Sequence, residues 1–74
     1  MRIIDEIHRQ RTILGLAQAN RVILSLSAFQ RLLAEEDELG LHQFNIQTIP
    51  PTIYGMSISI AEEPDREVAV LAGA

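Results

Sequence analysis

The residues of this chain whose types could do chemistry are two histidines, His8 and His42, and the acidic run Glu35-Glu36-Asp37-Glu38. A histidine becomes a general base when a neighbour orients it and a nucleophile stands within its reach. The sequence neighbours Arg9, Gln43 and Phe44 compose no such relay, and His8 and His42 lack the spacing of metal ligands. Consecutive acids offer oxygen ligands to a hard cation. On a helix, however, consecutive positions point around the axis rather than converging, which predicts a solvated helix end there. The chain has no cysteine, so thiolate nucleophiles, zinc–thiolate sites and disulfides are excluded. Gly15, Gly40, Gly55 and Gly73 fall in no phosphate-cradling pattern. These residues predict no enzyme, no metal and no cofactor.

Size and charge narrow the partners. A chain of 74 residues buries only about 60% of the surface its unfolded form exposes, yet 47% of these residues are hydrophobic. So apolar a chain with so small a core is expected to complete its burial against another protein, as a homo-oligomer or on a different partner. All six basic residues are arginine, and the net charge is −4. An acidic chain with one tyrosine, two phenylalanines and no tryptophan is not expected to bind nucleic acid directly, for want of a clustered basic surface or a stacking platform. No run approaches the ~20 apolar residues that span a bilayer, and the first residues lack a signal peptide's apolar core. The expectation is therefore no membrane partner and a cytoplasmic location at synthesis.

The elements that must position these side chains read as an α-β-α-β-β order, an α+β class with one small sheet and two packed helices. Residues 1–74 are expected to form a single domain. Over residues 2–14, Ile4, Ile7, Arg11 and Leu14 recur at helical spacing with Ile3 beside them, and Gly15 supplies the stop. The run Val22-Ile23-Leu24 is continuously apolar, the signature of a strand covered on both faces. A second helix follows, capped by Ser27 with Gln30 three residues on, or by Ser25 with Leu24 and Phe29 as a hydrophobic staple. It is expected to bury Phe29, Leu32 and Leu33 and to end near Gly40. Residues 40–51 read as an internal loop, because Pro50-Pro51 forbids helix and central-strand pairing. From Thr52, strict alternation puts Tyr54, Met56, Ile58 and Ile60 on a core face and Ile53, Gly55, Ser57 and Ser59 opposite. The small second face suits the close approach of a helix, or water. A last strand over 67–72 is expected to close a hairpin with the preceding one through the acidic tip Glu62-Glu63-Pro64-Asp65.

Interaction residues are sought where this plan leaves side chains unexplained. Arg11 sits inside the apolar stripe of the first helix, either with its stem inward and its guanidinium in water or in an interface salt bridge. Leu41, Phe44 and Ile46 make the 40–51 loop too apolar to be purely exposed: a short strand, a fold over the core and a partner contact all remain open. Glu62, Glu63 and Asp65 crowd like charges into a turn. That crowding either keeps the edge soluble or meets an arginine-bearing surface on a neighbour.

Three stretches, Val22-Ile23-Leu24-Ser25-Leu26-Ser27-Ala28-Phe29 with Leu32, Ile53-Tyr54-Gly55-Met56-Ser57-Ile58, and Val68-Ala69-Val70-Leu71-Ala72-Gly73, together resemble part of tailed-bacteriophage major capsid proteins. The likeness is to the region around the capsomer axis, where a strand leads through a small polar residue into a helix with an aromatic and leucines. It departs at Ser57, where the family usually has proline, and in lacking the family's long arm, extended loop and spine helix. The resemblance implies a phage-encoded, non-enzymatic structural or assembly protein that associates with itself or with virion proteins and is incorporated in a virion. It carries over no catalytic residue. The alternative expectation, from charge alone, is a small acidic inhibitor or regulator that binds a basic site on a host protein.

Overall fold

A computed structural model of the chain describes residues 2–41, 43–62 and 66–72. Its elements are α1 (Ile3–Leu14), β1 (Ala19–Ser25), α2 (Leu26–Leu39), β2 (Phe44–Asn45), β3 (Thr52–Ile53), β4 (Met56–Ala61) and β5 (Val68–Ala72). The class is α+β, and the strands form one five-stranded mixed sheet in the order β2-β3-β4-β1-β5. β1 runs parallel to β4 and antiparallel to β5. Parallel neighbours need a long crossover, and the stretch containing α2 supplies it.

Register decides which side chains meet the helices. Val22 stands opposite Ile58 and Val70, and Leu24 opposite Ile60 and Val68. Paired residues share a face of the sheet. On this face Val22, Leu24, Ile58, Val68 and Val70 are buried with Ile3, Ile4 and Ile7 of α1 and Ala28 and Leu32 of α2. Both helices therefore cover the same side. Ile23 points to the other side and is only half-buried, so the expectation that β1 is covered on both faces by its own chain is corrected. Phe29 and Leu33 are likewise half-buried, because α2 turns Ala28, Leu32 and Glu35 toward the core instead.

Two further expectations are corrected. Residues 52–60 are not one strand: Tyr54 and Gly55 have φ of 50° and 79°, and Ile53 pairs with Met56 across this two-residue turn. Positive φ at both turn positions matches the twist of a hairpin, and glycine at the second makes it accessible. The reversal puts Ile53 beside Met56, fully buried, whereas Ile60 remains 48% exposed. Nor do β4 and β5 form a hairpin, since they flank β1 on opposite sides. β3 already occupies the far side of β4, so the apolar strand β5 pairs with the free side of β1. Just before β5, Glu67 meets the C-terminal end of β1, where the Ser25 N–H donates to the Glu67 carbonyl at 3.0 Å.

The helix ends follow local chemistry in one case and tertiary contact in the other. Ser25 caps α2, its Oγ accepting from the Ala28 N–H at 3.0 Å, and Gly40 ends the helix at φ 66°. α1 has no side-chain cap from Arg2. Instead, the carboxylate of Glu35 on α2 accepts from the Ile3 and Ile4 N–H groups at 2.7 and 2.9 Å. A carboxylate there satisfies two orphan donors and complements the helix dipole. Glu35 is thus buried and Glu36 half-buried, so the expected solvated acidic run is corrected: only Asp37 and Glu38 of it are exposed.

Candidate interaction surface

The residues singled out from the sequence scatter. Leu41 and Phe44 pack against the core, with Phe44 in the short edge strand β2, so the 40–51 segment is partly paired rather than wholly loop. Ile46 is exposed, as is Glu62 at the end of β4. Glu63 and Asp65 lie outside the described residues, as does His42. Arg11 is half-buried with its guanidinium carbon 5.1 Å from the centre of the Tyr54 ring. His8 stacks on the same ring at 4.9 Å, tilted by 49°. Tyr54 thus joins the turn between β3 and β4 to α1, and the Arg11 Nε, shielded from solvent, has no hydrogen-bond partner among the described residues. A cation over an aromatic face gains electrostatic attraction without a carboxylate.

The arginines gather elsewhere. Arg2, Arg9, Arg31 and Arg66 surround a cleft of ≈ 390 Å³ with Glu6 and Glu67. Arg9 Nε donates to Glu6 at 2.9 Å and Arg31 to Glu67 at 3.2 Å. Hydrogen bonds from Arg9 and then Gln10 hold the Glu6 carboxyl down to about 2 from its ordinary 4.5, and Glu6 in turn raises the Arg9 guanidinium.

Gln10 has a second task. Its Nε2 donates to the Val68 carbonyl at 2.9 Å, and its Oε1 accepts from the Val70 N–H at 3.0 Å. One side-chain amide therefore takes the place of a neighbouring strand along the outer edge of β5. Unpaired edges template association with other strands, so this edge is closed at its middle.

The open side of the sheet is the larger feature. Register aligns Thr52, Ser57, Arg21 and Leu71 in one row across four strands, and Ser59, Ile23 and Ala69 in the next. Among the described residues no helix lies over them. The loop carrying Ile49 and Pro50 stands beside the first row and, with Asn20 and Thr48, walls a groove of ≈ 710 Å³. Ile49 is 100% exposed and Leu71 40%. The floor is small and hydroxyl-bearing, the walls apolar, and among the described residues Arg21 is the only charged one lining it.

Among the described residues no group of three or more His, Cys, Asp or Glu could hold a metal ion, and no helix is long and apolar enough to cross a membrane. Sequence reasoning missed Glu35 and Gln10, although a signal existed for both. Each lies at helical spacing from buried residues, Glu35 after Ala28 and Leu32, Gln10 after Ile3 and Ile7, so a polar side chain inside an apolar stripe was the sign of a buried hydrogen-bonding role. Arg21 and Leu71 gave no such sign, because only the register brings them into one row. Comparison of the chain with protein-family models, with curated proteins and with solved structures finds no match.

Proposed function

We propose that this protein is a non-enzymatic interaction module whose uncovered sheet face is completed by another protein. The observation that carries this reading is the one-sided sheet: both helices lie on one face while Ile23, Leu71 and the flanking Ile49 remain at or near the surface of the other. A parallel pair such as β1 and β4 ordinarily has both faces covered, and Val22-Ile23-Leu24 has the continuous apolar composition of such a strand. An assembly role of the kind implied by the capsid-protein resemblance fits this surface. The acidic-inhibitor alternative draws no comparable support, since Glu6 and Glu67 are engaged by arginines of the same chain and Glu35 by backbone.

The test is the mass of the native particle, by light scattering, for the wild type and for Ile49→Glu and Leu71→Glu. Both positions are exposed, so the variants are expected to fold, and each is expected to reduce self-association or capture of the cognate partner. A wild-type monomer whose partner binding is unchanged by either substitution would remove this face from consideration.

A further inference from the structure

We infer that the groove on the open sheet face takes an amphipathic helix of a partner protein whose apolar stripe carries one carboxylate, received by Arg21. The inference rests on the interaction-module reading and adds the chemistry of the partner. Three observations select this occupant. On either side of the central-strand residues Arg21 and Ile23 the face is built of short side chains, Ser57 and Ser59 on β4 and Ala69 on β5, which leave room for a helix, and a helix is what normally covers the second face of a parallel pair. Leu71 and the Ile49-Pro50 wall offer apolar contact along the sides. Among the described residues, Arg21 brings a charge into this row with no Asp or Glu lining the groove and no ion pair of its own. A partner that covered Arg21 with apolar side chains alone would strand a desolvated cation, whereas a carboxylate in the stripe forms a charge-assisted, bidentate pair.

The experiment titrates isotope-labelled protein with a capped helical peptide of about 18 residues, bearing a leucine–alanine stripe with one central glutamate, and with its glutamine twin. Amide shifts are expected at Arg21, Ser57 and Leu71, with the glutamine peptide about tenfold weaker. Arg21→Gln is expected to erase the difference between the twins while leaving the fold intact. Equal binding of the twins to the wild type overturns the carboxylate inference and leaves the covered-face reading standing. Binding of neither peptide, with self-association that Leu71→Glu abolishes, assigns the face to a second copy and also overturns the inference. Binding of neither peptide to a monomer that is indifferent to Leu71→Glu defeats both.

Discussion

Removing the Glu35 carboxylate leaves the buried N–H groups of Ile3 and Ile4 without an acceptor, at a helix start that has no side-chain cap of its own. Hydrogen bonds to a charged group contribute about 1.5–3 kcal/mol each, and stranding their donors costs more than replacing both partners would. Glu35→Ala is therefore expected to lower stability by roughly 2–4 kcal/mol, comparable to the whole reserve of a chain this small. Glu35→Gln keeps one acceptor oxygen and is expected to lose less, so the pair remains measurable if the alanine variant does not fold. Urea midpoints for both variants equal to that of the wild type would show that α1 needs no cap from α2. The same residue shows what was legible at this scale. Gly40 announces its capping role through residue type, and a serine cap near the start of α2 was legible too, although type alone left Ser27 and Ser25 both open and the structure selects Ser25. Glu35 acts across 32 positions, and only its place in an apolar stripe hinted that it was not part of a solvated acidic end.

At the scale of elements, the helices and the apolar strand β1 were readable from period and composition, and the strand pairings were not. Val68-Ala69-Val70-Leu71 has the same apolar character whether it folds back on β4 or crosses to the far side of β1. The choice depends on β3 already occupying the outer edge of β4, a fact that the Tyr54-Gly55 turn creates. Once β5 becomes an edge strand, it needs protection, and Gln10 gives it from a neighbouring helix. Gln10→Leu keeps a good helix former of similar size but removes both hydrogen bonds to β5. The variant is expected to exchange the Val70 amide proton faster and to associate with rising concentration, because the exposed N–H and carbonyl form a strand template. Wild-type exchange at Val70 together with unchanged light scattering would mean that the edge is shielded by something other than the Gln10 amide.

For the molecule as a whole, the one-sided sheet makes adjacent residues of β1 report on different contacts. Leu24 is fully buried beneath the helices, and Leu24→Ala is expected to cost about 2–5 kcal/mol in the isolated chain. Ile23 faces the open side and is half-buried, so Ile23→Ala is expected to cost about 1 kcal/mol or less there, since little area returns to water and no enclosed cavity forms. Bound to the partner that covers the face, the order changes. Ile23 then occupies the centre of a contact between layers, and its truncation is expected to weaken binding by roughly tenfold while Leu24→Ala acts mainly through folding. Paired measurements of unfolding free energy and partner affinity for the two variants separate these roles. If Ile23→Ala proves as costly as Leu24→Ala in the isolated monomer, the chain covers both faces of its own sheet in solution, and the continuous apolar run of β1 needs no partner to explain it.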